Sequence, residues 1–308
     1  MIGLSTYAFF WQISDRAPQA LGLEDLLSRT HELGGQVFQI CDYAPLEGYS
    51  DAQLQDVRKR AEDLRITLEL GTKGIKSAHL SNYLRIANIL GAKLIRSMVN
   101  MPDHRPSMVE AVGLLKQSMA DYEAAGVTIA LETYEQLNSR DLVNLVKSVN
   151  SPSLGICLDP ANCVAALENP IDVIDRCAPY VANLHVKDFA FTRRGGWVGF
   201  TLEGAELGTG QLDYDYLIGK IAPESRGINR IIEHWLPWQG EFEESRRMEN
   251  LWNANNLAYN ARRRLRRAER GVASYATEGN TPERTETHAR GFDRRSCDTP
   301  DGSPVARS

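Results

Sequence analysis

No stretch of the chain approaches the ~18 to 20 consecutive apolar residues that a membrane-crossing helix needs. The N-terminal MIGLSTYAFFWQ carries no basic region ahead of its apolar residues, so a cytoplasmic protein with no membrane partner is expected. Cysteine is sparse: Cys41, Cys157, Cys163, Cys177 and Cys297 are odd in number and show no CxxC spacing. That argues against a disulfide framework or a zinc ribbon and for buried free thiols. No GxGxxG or GxxxxGK[ST] run follows any strand-like segment, which removes the dinucleotide and nucleoside triphosphate fingerprints. A basic body is also lacking. Residues 260–308 hold 11 Arg, no Lys and 7 acidic residues, a balance of +4, so residues 1–259 carry −9 of a chain whose net charge is −5. A body that acidic repels phosphate backbones, and no nucleic-acid partner is expected.

What is present is a rhythm. Among 308 residues, 43% hydrophobic and 24% charged, short apolar runs alternate eight times with amphipathic stretches. The strand-like runs are 2–4, 36–40, 66–70, 93–98, 127–132, 154–158, 181–185 and 229–233. Helix-like segments between them include 23–33, 51–64, 78–90, 106–125, 139–149, 170–178 and 213–221, with an eighth predicted over 241–267. Gly34, Gly91 and Gly126 stand where a left-handed residue closes a helix. Eight such units in about 250 residues predict a (β/α)8 TIM barrel, an α/β fold, rather than a doubly wound open sheet. The expected division is a barrel domain at 1–270 and a tail at 271–308. The tail contains no Leu, Ile, Met or Trp and is expected to be disordered for want of apolar surface to bury. Segment 189–211, inserted after the seventh strand and rich in Gly and aromatics, reads as a lid loop over the barrel mouth.

Barrel enzymes build their sites at the C-terminal ends of the strands. Four consecutive strands close on a potential metal ligand: Glu132, Asp159, His185 and Glu233, spaced by 27, 26 and 48 residues. One ligand per repeat sets all four around one axis. Three carboxylates and an imidazole make a hard donor set that suits one divalent ion, Mn²⁺ or Mg²⁺, with Co²⁺ compatible. Cations stand near other strand ends: Lys73, Arg96 and Lys187. Three carboxylates against one divalent ion leave a single negative charge, so the surplus cations point to an anionic group on the substrate. Lys187, two residues past His185, should face the same mouth; its competing role is an ion pair with Asp188 or Glu135. Trp235, Trp238, Trp11, Tyr134, Phe9 and Phe10 offer rings for a sugar face, and His234 and Asn162 complete the substrate-binding candidates. EHWLPWQG provides no phosphate cradle, which favours a neutral or carboxylated sugar over a sugar phosphate.

The motifs ALETYE (130–135), CLDPAN (157–162), NLHVKD (183–188) and IIEHW (231–235), in this order and spacing, resemble those of the xylose-isomerase-like superfamily of sugar isomerases and epimerases. The resemblance covers roughly residues 1–265. It implies one divalent metal on Glu132, Asp159, His185 and Glu233, with the two glutamates also moving protons on opposite faces of the substrate. A departure is Asn162, where many epimerases of the family carry a His; an amide hydrogen-bonds a hydroxyl but takes up no proton at neutral pH. The same superfamily contains apurinic-site endonucleases, which use three metals and many His ligands, whereas only His185 and His234 lie at strand ends here. HVKDFAF and EHWLPWQ are also similar to a branch that includes 3-oxo-isoapionate decarboxylases. The resemblance thus implies an enzyme working through an enediolate on a small sugar or sugar acid, with Glu132, Glu233 and Lys187 as catalytic groups, assembled as a homo-oligomer. Isomerisation or epimerisation stands first and decarboxylation of a 3-oxo sugar acid second.

A tail with no Leu, Ile, Met or Trp to build an apolar core has little folding energy to contribute. Truncation after Arg270 is therefore expected to leave melting temperature and activity unchanged; a large drop in either would show that the tail packs on the protein.

Overall fold

Each strand-like run alternates side chains between two directions, and in a barrel both must be filled. The computed structural model describes residues 1–196 and 198–275. Its strands are β1 (Ile2–Ser5), β2 (Val37–Cys41), β3 (Thr67–Gly71), β4 (Leu94–Ser97), β5 (Thr128–Glu132), β6 (Leu154–Leu158), β7 (Val181–Val186), β8 (Asp188–Arg193), β9 (Phe200–Ala205) and β10 (Arg230–Ile232). Eight of them close a parallel barrel in the order β1-β10-β7-β6-β5-β4-β3-β2. Closure is made by β10 against β1, with Ile2 opposite Arg230 and Leu4 opposite Ile232. The expected (β/α)8 barrel is what the chain forms.

One side of every strand feeds the layer between barrel and helices: Leu4, Phe38, Ile40, Leu68, Leu70, Ile95, Ile129, Leu131, Ile156, Leu158, Leu184 and Ile232 are buried in one apolar cluster with the inner faces of the helices. The alternate positions face the barrel interior and include the polar Gln39, Glu69, Arg96, Asn183 and His185, all buried. The space is tight. A Cβ at Gly3 would lie 1.6 Å from Val37 O, and one at Gly71 would lie 2.3 Å from Cys41 Sγ.

The helices begin and end where local chemistry dictates. Ser50 caps the helix Asp51–Asp63 and exchanges hydrogen bonds with Gln53 in a capping box; Ser107 accepts from Glu110 N at the start of Met108–Ala125. Gly91 and Gly126 close their helices at φ of +73° and +61°, a conformation that costs other residues a Cβ clash. The last helix runs Phe242–Tyr275, past the expected end at Arg267. Met1–Arg264 forms the barrel unit, and of the second unit, Leu265–Ser308, the described part is the helical end. The rest of the tail expected to be disordered, with Cys297, lies outside the described residues. Cys41, Cys157, Cys163 and Cys177 are buried free thiols. No helix among the described residues is long and apolar enough to cross a membrane.

Segment 189–211 differs from expectation. It is not an irregular loop: β8 and β9 pair antiparallel from Asp188 opposite Ala205 to Arg193 opposite Phe200. The alternation in FAFTR and FTLEGA was concealed by the glycines between them. Phe191 packs edge-on against both Phe189 and Phe200. At the hairpin's base the buried carboxylate of Asp188 accepts four backbone N–H groups, from Phe189 (2.9 Å), Gly208 (2.9 Å), Gly210 (3.0 Å) and Leu212 (2.9 Å). Those bonds tie the returning chain to the residue after Lys187. Asp188→Ala would strand the buried donors of Phe189 and Leu212 at roughly 3 kcal/mol. A matching fall in the free energy of urea unfolding is expected, and wild-type stability in that variant would show that the hairpin is held elsewhere.

Candidate metal and substrate site

Four strands converge on one point of the barrel mouth. The ligand atoms of Glu132, Asp159, His185 and Glu233 all lie within 4.8 Å of one another, and all four residues are buried. Glu132 ends β5 and His185 lies in β7, while Asp159 and Glu233 follow β6 and β10 directly. His185 turns Nδ1 toward Glu132 Oε1 (3.1 Å) and Glu233 Oε2 (3.4 Å). Its Nε2 faces Gln39 Oε1 at 2.8 Å. Glu233 Oε1 has no hydrogen-bond partner although it is buried, an atom that a bound cation would satisfy. Oxygen-rich donors, convergence and this free oxygen fit one divalent ion.

Cations interleave with these carboxylates. Lys187 Nζ lies 2.7 Å from Asp159 Oδ2 and 3.2 Å from Glu233 Oε2, with the Trp235 ring centroid 4.8 Å away. It pairs with neither Asp188 nor Glu135, since Asp188 is engaged by backbone donors. Arg96, only 3% exposed, pairs with Glu132 through Nη2 and sends Nη1 to Thr72 O (3.1 Å) and Asp42 Oδ2 (3.4 Å). Lys73, at the rim, lies 3.1 Å from the same Asp42 oxygen, which also accepts from Tyr7 Oη at 2.8 Å.

These pairings set the protonation states. Burial opposes the charged form of every group here, yet Arg96 and His185 hold Glu132 below the usual carboxylate range, and His185 and Lys187 hold Glu233 well below it. Asp159 goes the other way: burial pushes it up to about 6 against the pull of Lys187. Lys187 remains protonated because Asp159 and Glu233 outweigh its burial.

The remaining sequence candidates divide. Asn162 Nδ2 donates to Glu132 Oε1 (3.0 Å) and Thr133 O (3.3 Å), inside the cluster. Tyr134 is half-buried in the turn after β5, within electrostatic reach of Glu132, Lys187 and Lys73. His234 turns away, its Nε2 2.9 Å from Asn253 Oδ1 on the last helix and its ring edge-on to Trp252, because consecutive residues at a strand end point in opposite directions. Phe9 packs in the core against Phe38, and Trp11 and Trp238 pack on each other with Arg16 against both rings. Sequence reasoning missed Asp42, whose φ of +49° marks a strained turn after β2. It also missed Gln39, Glu69 and Asn183, whose signal was a polar residue in the middle of an otherwise apolar strand.

A family model described as Xylose isomerase-like TIM barrel matches residues 27–252. The chain belongs to this family. A 3-oxo-isoapionate decarboxylase of Pectobacterium atrosepticum is 53% identical over 258 residues, covering 84% of this chain and 94% of that protein. Among solved structures, D-psicose 3-epimerase from Clostridium cellulolyticum H10 with D-tagatose superposes at a TM-score of 0.66 with 15% identity, covering 84% of this chain and 97% of its own. A xylose isomerase-like barrel from Mycobacterium smegmatis in complex with magnesium gives 0.61 at 18% identity, with 83% and 97% covered. At such identities the two solved structures speak for the fold alone.

His234 generates a pH prediction. Burial pushes its pKa down to about 4, against the hydrogen bond it donates to Asn253 Oδ1. In the unfolded chain the group titrates near 6.5, so the unfolded state binds more protons between these values and stability is lost as pH falls through that window. The loss attributable to His234 is about 2 kcal/mol by pH 5. The difference in unfolding free energy between wild type and His234→Gln is expected to shrink by that amount from pH 7.5 to 5 in chelated buffer. A constant difference would show that His234 ionises freely in the folded protein.

Proposed function

We propose that the protein is a divalent-metal-dependent decarboxylase of a 3-oxo sugar acid, of the chemistry named for 3-oxo-isoapionate. The observation that carries this reading is that the mouth holds its two glutamates ionised and engaged by cations, with a protonated lysine between the carboxylates. An epimerase would have to take a proton from carbon with one of these cation-engaged glutamates, whose basicity the pairing lowers. Decarboxylation of a 3-oxo acid needs no base: the bond to the carboxylate breaks, its electron pair passes into the neighbouring carbonyl as an enediolate, CO2 leaves, and one proton returns to the α carbon. The relative at 53% identity is a decarboxylase, so decarboxylation, placed second on sequence, moves ahead of isomerisation or epimerisation.

Glu132, Asp159, His185 and Glu233 would hold Mn²⁺ or Mg²⁺, which supplies Lewis-acid stabilisation of the oxygen that becomes negative. Lys187 holds the proton for the α carbon and keeps it until a base stronger than Asp159 or Glu233 forms beside it. Asn162 orients Glu132. Arg96 and Lys73 read the leaving carboxylate at the rim, with Asp42 keeping both in place and Tyr134 and Trp235 flanking the sugar. Asp42 also revises the charge count. Four carboxylates against Arg96, Lys187, Lys73 and a divalent ion leave one positive charge, matched to a single substrate carboxylate.

Incubation with Mn²⁺ in D2O, with 3-oxo-isoapionate and a panel of ketoses followed by NMR, is expected to give CO2 and one deuterium at the α carbon from the acid and no change in the ketoses. Epimerised ketose, or deuterium exchange without CO2, would reverse the order of the two reactions. Glu233→Gln should lose tight metal binding, whereas Lys187→Met should keep the metal and lose about 100-fold or more in kcat/KM. Near-normal turnover in Lys187→Met would make the lysine structural.

A further inference from the structure

Beneath the mouth, the barrel interior carries a continuous line of hydrogen bonds that the proposed reaction does not use. At its floor the N-terminal ammonium lies 3.1 Å from Asn229 Oδ1, and Asn229 Nδ2 donates to Glu69 Oε1 at 2.6 Å. Glu69 Oε2 accepts from Asn183 Nδ2 (2.9 Å) and Gln39 Nε2 (3.2 Å), and Gln39 Nε2 also reaches Asn183 Oδ1 (3.3 Å). Gln39 Oε1 then faces His185 Nε2 at 2.8 Å. Glu69, Gln39, Asn183 and His185 are each no more than 2% exposed.

Amides and imidazoles can present either a donor or an acceptor at a given end. Among these groups the carboxylate of Glu69 alone is fixed as an acceptor on both oxygens. Its position obliges Gln39 to turn its NH2 downward and its carbonyl upward, and that carbonyl obliges His185 to carry its proton on Nε2. In the neutral ring this makes Nδ1 the nitrogen turned toward Glu132 and Glu233, where a bound cation would meet its lone pair. We infer that Glu69 and Gln39 are positioning residues that set the polarity of His185 from the floor of the barrel, so that its Nδ1 is ready to bind the cation. The inference rests on the metal-site reading above and assigns these two residues no contact with substrate.

The test measures Mn²⁺ affinity of the full chain by the electron paramagnetic resonance of free Mn²⁺. Glu69→Gln lets the line reverse and is expected to weaken Mn²⁺ binding about 10- to 100-fold. The exchange variant Gln39→Glu/Glu69→Gln is expected to return affinity to within about threefold of wild type, because with Asn183 turned end for end every donor again meets an acceptor. A residue needed only for packing would not be rescued by exchanging an acid and an amide. Should Glu69→Gln fail to fold, Gln39→Met removes the acceptor with an apolar chain of the same length and carries the same expected loss. Unchanged affinity in Glu69→Gln or Gln39→Met, or an exchange variant no better than the single one, overturns the inference while leaving the metal site standing. A wild-type protein that binds no Mn²⁺ overturns the metal-site reading itself, and the inference with it.

Discussion

Three carboxylates buried within a few ångströms of each other repel, and everything at the mouth of this barrel answers to that repulsion. Burial weakens the screening of these charges, so they persist only where cations are built in at comparable distance. Arg96 from β4 and Lys187 from just past β7 meet that requirement from two sides, and His185 stands between two of the acids. The donor set and the balance of charge also make a place for a divalent ion. A site of this kind is suited to holding negative oxygen, which supports the decarboxylation proposed above.

The same constraint explains why the barrel interior is unlike a packed apolar core. TIM barrels usually fill this space with branched aliphatic side chains. Here the inward positions of β2, β3 and β7 carry Gln39, Glu69 and Asn183, hydrogen-bonded to one another beneath the metal-ligand candidates. Apolar burial is therefore concentrated in the layer between strands and helices, and the interior specifies orientation. An interior amide that loses its partner leaves a polar group without water, so the network is satisfied as a whole or not at all.

Loops finish what the strands begin. Lys187 is at the junction of β7 and the β8–β9 hairpin, and the next residue, Asp188, gathers the backbone N–H groups of the returning chain. Trp235 supports the ammonium, and β9 approaches it so closely that a Cβ at Gly204 would lie 2.4 Å from Trp235 O. The hairpin is thus fixed at its base to the segments that place the lysine.

The sequence by itself determined the eight-fold alternation, hence the barrel, and the convergence of Glu132, Asp159, His185 and Glu233, because period-2 strands that each end in Glu, Asp or His must present those groups at one rim. Local signals were enough: Gly91 and Gly126 closed helices, and Ser50 and Ser107 opened them. Only the tertiary structure decided which charges meet. That Lys187 faces Asp159 and Glu233 and not its neighbours Asp188 and Glu135, that Asp42 gathers Tyr7, Lys73 and Arg96, and that His234 leaves the site for Asn253 are facts of how separate strands and the last helix come together. The glycines of segment 189–211 hid a hairpin whose pairing is set across six residue pairs. Partners 46 and 146 residues apart in the chain, Lys187 with Glu233 and His185 with Gln39, leave no periodicity to read, because spatial proximity around a closed barrel is fixed by strand register and not by spacing along the sequence.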